Sequence, residues 1–328
     1  MKRHSVQHKK NLQKIILVFC VLFGFSGCGN HAEQKINSVS KNLIEEIKHK
    51  HSVSYIVHLF PIADLPSEIS ESSGLVMSSP NSLWTHNDSR GEPKIFNLDT
   101  LGNLRRAITF TNEPNIDWEE ITKDEKGNFY VGDFGNNDCK RHGLRINKFS
   151  NPDLDKTDSI AAQDIDFSYP DQLDFPPSIE KMNFDAEAMV AFNNVIYLFS
   201  KNRTDPYTGY SKLYELPAIP GNHVAQLVDS LYTGKGPVKE CSITGAAIND
   251  SHTILVLISH EKIWVFTHFV GNKFLDGNMT ELSFSEKGLS MEGVCFKSEN
   301  ELYLTEERSE PGSGKLFYLD LSGILKLQ

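Results

Sequence analysis

The chain has 328 residues, 39% of them hydrophobic and 23% charged, with 22 glycines, 14 prolines and a formal net charge of −10. That composition excludes collagen-like, coiled-coil and wholly disordered chains, and the length suffices to bury a sizeable core. An acidic body repels a phosphate backbone, so nucleic acid is not expected as a partner.

In chain order, the first element is an export signal. Lys2, Arg3, Lys9, Lys10 and Lys14 precede an apolar run over residues 15–23 and then small residues up to Cys28, with no carboxylate among residues 1–27. The apolar run is too short to cross a bilayer as a stable helix. Phe25-Ser26-Gly27-Cys28 resembles a bacterial lipobox, with Phe25 in place of the usual Leu. The expectation is therefore a signal peptide over 1–27, lipidation at Cys28, and a membrane as partner through acyl chains. Gly29 rather than Asp after the cysteine points to the outer membrane. Residues 28–51 read as a tether, with Ile36, Val39, Leu43, Ile44 and Ile47 at the spacing of one short amphipathic helix. Residues 52–328 form the domain. Of its cysteines, Cys295 lies in an apolar strand pattern, Cys139 is expected in an exposed polar loop, and a Cys241–Cys295 bridge is left open.

Five copies of one pattern then follow. Segments 71–75, 117–121, 185–189, 242–246 and 290–294 each open a short apolar strand, and anchors Ser73, Glu119, Glu187, Thr244 and Glu292 are spaced by 46, 68, 57 and 48 residues. Second strands are expected to end near Asp88, Asp133, Phe199, Ile258 and Glu306, and third strands over 94–98, 144–149, 212–216, 262–266 and 315–319. Fourth strands fit 104–110, 164–169, 224–231 and 280–284, while the last unit lacks one. Residues 54–60 would supply it and close the ring, hiding the sheet edges. The fold expected is all-β, a five-bladed β-propeller with six blades as the alternative. Blades run ~40–50 residues, and the polar stretch 151–182 accounts for the longest interval.

The runs ESSGLVMSSPNSLWTHND, DWEEIT…GNFYVGD, FDAEAMV…VIYLFSK and MEGVCF…ELYLTEE resemble the SdiA-regulated and phytase-like (esterase-like) bacterial propellers, themselves similar to NHL-type propellers. The resemblance spans about residues 54–321 and implies an exported propeller without transferring a reaction.

In a propeller, the start of the first strand and the end of the second lie on one face. That would gather Glu71, Asp88, Asp117, Glu119, Asp133, Asp185, Glu187, Glu292 and Glu306 at one channel mouth. Three uses of such a ring stay open: capping of backbone N–H groups, a hard cation such as Ca2+ held by Glu119, Glu187 and Glu292, or a small ligand or protein partner. Lys201, Arg203 and Arg308 follow second strands and would neutralise part of it. If the ring serves a metal-dependent hydrolase acting on phosphate or carboxylic esters, His86 and Glu187 are the candidates for proton transfer. Trp118 is expected beside the mouth. The run 311–316 fails as a phosphate loop, the 133–138 loop lacks EF-hand spacing, and no G-x-S-x-G elbow is present.

Overall fold

The repeated alternation of apolar and polar residues folds each unit into an antiparallel sheet. The computed structural model describes residues 53–89, 91–307 and 314–326; Cys28, the tether, Arg308 and residues 311–313 lie outside the described residues. The inner strands are Ser72–Ser79, Trp118–Lys123, Asp185–Phe192, Gly245–Ile248 and Met291–Phe296. Each heads its own sheet, and each packs beside the next, with the fifth returning to the first. This is a five-bladed propeller rather than a six-bladed one.

The amino-terminal segment departs from expectation. It does not run as one strand over 54–60. Phe60–Asp64 pairs antiparallel with Lys315–Asp320 and supplies the missing fourth strand of the last blade. Val53–Val57 instead pairs parallel with Asn278–Phe284, the fourth strand of the preceding blade. The same device recurs twice. Ser159–Ile160 and Gly221–Val224 lie in connections between third and fourth strands, and each pairs parallel with the fourth strand of the blade before. The amino terminus thus repeats a connection type that the ring uses elsewhere. Pro61 has no N–H for a ladder, and an outermost strand is where a sheet tolerates it.

Five apolar cores lie between neighbouring blades. Trp84, Trp118, Phe129 and Phe149 fill one of them, and Phe199, Leu257, Trp264 and Phe274 another. Trp118 is fully buried there, its Nε1 donating to Pro114 O at 3.2 Å, so it offers no face to a ligand at the mouth. Cys139 is buried rather than exposed, and Cys139, Cys241 and Cys295 are all free thiols.

One feature of the inner strands sets the direction of the acids. In four blades the ladder slips by a residue near the strand start, and in three of them the residue passed over is the anchor glutamate itself: Glu119, Glu187 and Glu292. A bulge of this kind breaks the alternation of faces and re-aims one side chain. The position after the anchor is small in four blades: Gly74, Ala188, Gly245 and Gly293. In the second blade it is Glu120, fully buried among the inner strands. Its carboxylate accepts the backbone N–H of Ala246 at 2.9 Å and of Ile121 at 3.0 Å, with those of Met189 and Leu75 alongside. Gly74 has φ +64, and a Cβ there would stand 2.6 Å from Ile121 N and 2.9 Å from Glu120 Oε1. Only glycine lets the first blade close over this carboxylate.

Candidate functional site

The bulges and the entry turns bring side chains from four blades to an open cavity of about 440 Å³, lined by Glu71, Ser72, Ser73, Asp88, Glu119, Asn137, Glu187, Lys201, Arg203, Glu292 and Glu307. Five of the acids named from sequence are on that wall: Glu71, Asp88, Glu119, Glu187 and Glu292. Two more stand directly behind it. Asp117 groups with Asp88 and Glu119, and Asp185 groups with Glu119 and Glu187, carboxylate oxygens in each group lying within 4.8 Å of one another. The last two are elsewhere. Asp133 Oδ1 receives Arg141 at 2.7 Å and the backbone N–H of Asp117 at 3.2 Å, which fixes the entry turn of its blade. Glu306 ends its second strand against Met291 and Lys315 and does not line the cavity.

The two triads share Glu119 but differ in what neutralises them. Around Asp185 and Glu187 the protein supplies its own cations. Arg203 donates to Asp185 at 2.6 Å and to Glu187 at 3.0 Å, Lys201 reaches Glu187 at 2.9 Å, and Asn136 N–H donates to Asp185 at 2.6 Å. Burial works against the charge of Lys201, yet Glu187 and Glu292 hold its pKa above the ordinary lysine value. Around Asp88 and Glu119 the picture is different. Asp88 Oδ1 is buried without a hydrogen-bond partner. Glu119 is 4% exposed, and no described donor reaches its carboxylate. Gly135 makes room for this arrangement: a Cβ there would lie 2.0 Å from Glu119 Oε1 and 2.5 Å from Asp117 Oδ2.

The electrostatic consequence is large. Two unit charges at ~4.8 Å repel by about 3–4 kcal/mol at an effective dielectric of ~20, so a fully ionised triad carries roughly 10 kcal/mol of mutual repulsion. The pKa values respond. Burial, followed by Glu187 and Asp117, raises Asp88 to about 7. Burial and Glu187 raise Asp185 to about 6 in spite of Arg203. Glu119 is driven well above the usual carboxylate range by burial and by Glu187 and Asp88, and Glu292 by burial. In the absence of a cation, protonation of these carboxylates is favoured, and a dication would compete with it.

Glu292 belongs to neither triad; its Oε1 lies 3.3 Å from His260 Nε2. Burial and the nearby Lys201 lower His260 to about 3, so this contact sets a neutral imidazole beside Glu292 rather than forming an ion pair. His86 is fully buried beneath the mouth, edge-on to Trp118 and held by its Nδ1 at 3.1 Å from Asn87 O. Burial lowers it to about 4, and it is not on the cavity wall. Sequence reasoning missed Glu307, Asn137, Gly135 and Glu120. Glu307 and Asn137 lie in loops after the second strands, the position that had already marked Lys201 and Arg203.

No family model matches the chain, and no curated protein matches it. Solved structures similar in fold include the PQQ-bound form of an aldose sugar dehydrogenase from Streptomyces coelicolor, with 10% identity over 80% of this chain and 97% of that one and a TM-score of 0.44. Streptogramin B lyase is another, with 11% identity, coverage of 80% and 87%, and a TM-score of 0.40. These β-propellers are likenesses of fold and lend nothing to the assignment of chemistry.

Proposed function

We infer that this propeller binds a hard divalent cation, Ca2+ by its all-oxygen donors, between Asp88, Asp117 and Glu119, and through it a ligand at the channel mouth. One observation carries the reading: Glu119, almost wholly buried, lines the cavity with no described donor on its carboxylate, while Asp185 and Glu187 beside it are already held by Arg203 and Lys201. A carboxylate in such a place is pushed towards its protonated form because its charge is costly there, and a dication offers the charged form a partner. Ca2+ takes six to eight oxygens at 2.3–2.6 Å, so three carboxylates within 4.8 Å leave positions for a ligand and water. The cation set moves from Glu119, Glu187 and Glu292 to Asp88, Asp117 and Glu119.

Binding is the primary role in this reading. A second reading is favoured by the neutral His260, whose Nε2 lies 3.3 Å from Glu292 of the cavity lining: hydrolysis of a phosphate or carboxylic ester, with the ion polarising the ester and activating water. The basic and apolar residues before Cys28 support an exported lipoprotein anchored at that cysteine, facing the periplasm or the cell surface at the outer membrane. The repeat motifs support a place among the SdiA-regulated and phytase-like propellers.

Calorimetric titration with Ca2+ after dialysis against a chelator tests the binding role. Saturable binding and a raised Tm are expected, both lost in Glu119→Gln. Absence of binding in the wild-type protein overturns it. A panel of chromogenic esters with Glu119, Glu187 and Glu292 each changed to Gln tests the hydrolytic reading.

A further inference from the structure

We propose that the ligand taken at this mouth carries an oxyanion, a carboxylate or a phosphate, which bridges the bound cation to Lys201 and Arg203. The inference rests on the cation reading above and adds the chemistry of what the cation presents.

Acids and bases share one cavity: Asp88, Glu119, Lys201, Arg203 and Asn137 all line it. Glu119 ties the two sets together, since an oxygen of its carboxylate lies within 4.8 Å of those of Asp185 and Glu187, which Arg203 and Lys201 hold. The second observation beside the acid cluster is Glu119 itself, more than nine-tenths buried, facing the cavity and bonded by no described donor. Arg203 is held by Nε on Asp185 and by Nη2 on Glu187 and Asn137. That clamp spends three of its five N–H groups at most, and the fork keeps donors for a planar or tetrahedral oxyanion. Lys201 has three donors and one close carboxylate, Glu187. Cation, ammonium and guanidinium would together present positive charge within an otherwise acidic cup.

The other acids of the lining, Glu71 and Glu307, give the proposal its sharpest consequence. Without the dication they, Asp88 and Glu119 oppose any anion, so the apo mouth binds none. With the dication in place, oxyanion and ion stabilise one another, and linkage makes the effect reciprocal.

The test is calorimetry on the full-length protein in detergent, with Ca2+ as one titrant and inorganic phosphate or acetate, below the solubility limit of the calcium salt, as the other. Phosphate or acetate should bind only when Ca2+ is present, and the preferred probe tells the two oxyanion sources apart. Lys201→Met should weaken the anion about tenfold or more while leaving Ca2+ binding equal or tighter, because a positive charge beside the ligand acids has been removed. A lysine needed only for structure would weaken both. Arg203→Lys keeps the charge but loses the fork, and it gives the same readout if Lys201→Met fails to fold. Ca2+ binding with no Ca2+-dependent anion affinity, or with an anion affinity indifferent to both variants, overturns this inference and leaves the cation reading standing. Failure of Ca2+ to bind the wild-type protein overturns both.

Discussion

Glu120 offers the most demanding perturbation. Its carboxylate sits where the inner strands converge and meets only donors: the N–H groups of Ala246, Ile121, Met189 and Leu75. Burial raises its pKa, and those donors oppose the rise. None of these four groups can accept a carboxyl proton, which favours the charged form against the rise that burial causes. Glu120→Ala leaves up to four buried N–H groups without partners, at about 1–3 kcal/mol each. Relief of a buried charge and entry of water into the vacated space offset part of this. We expect a net loss of about 3–5 kcal/mol. Glu120→Gln keeps the shape but turns one oxygen into an N–H2 group facing N–H donors, and should cost about 2–4 kcal/mol. Urea unfolding followed by the fluorescence of the buried Trp84, Trp118 and Trp264 measures both, provided the slope m is unchanged. A Glu120→Gln protein as stable as wild type would refute the reasoning, since it would mean that the group is held as a neutral carboxyl.

Three further outcomes follow from the same structure. In chelator, Tm should fall between about pH 6.5 and pH 8, because Asp88, raised to about 7, makes the folded state hold more protons there than the unfolded one; below that window the buried His86 and His260, lowered to about 4 and about 3, oppose the same effect of Asp88 and Asp185. Ca2+ should stabilise more at pH 8 than at pH 5, and a Tm that rises in chelator from about pH 6.5 to pH 8 would contradict the assignment. Gly135→Ala places a methyl group against Glu119 and Asp117 and should weaken Ca2+ binding about tenfold or more with a smaller effect on folding, read by titration alongside a melt. Removing residues up to 58 deletes the parallel strand on Asn278–Phe284 but spares Phe60–Asp64. Loss of the buried Val57 and the packed Tyr55 should cost about 2–4 kcal/mol by urea unfolding while the fold persists.

The ring was legible because its signal is redundant. Each blade repeats an anchor, an apolar second strand and an alternating third, and the spacing of the anchors gave five units directly. The split at His58-Leu59 was hidden because residues 54–60 alternate without a break, and no Gly or Pro falls between the two strands. Only Pro61, lacking an N–H, hinted that the second piece lies at an edge. At the mouth, the anchor acids were legible by position, but their destinations depend on bulges, which single-residue slips leave unmarked in sequence. Asp133 and Glu306 share the pattern of Asp88 yet end elsewhere, since Arg141 captures one and the end of the fifth blade's second strand buries the other. Glu120 was overlooked because it stands beside Glu119 and reads as a second copy of it. What distinguishes it is the small residue found at that position in every other blade.

A crystal structure of the protein grown with Ca2+, with anomalous data collected to identify the ion, tests the central claim most directly. The account predicts one strong peak within 2.3–2.6 Å of oxygens from Asp88, Asp117 and Glu119, with Arg203 still clasping Asp185 and Glu187. A mouth that holds water alone, or an ion seated on Asp185 and Glu187 with Arg203 displaced, would contradict it.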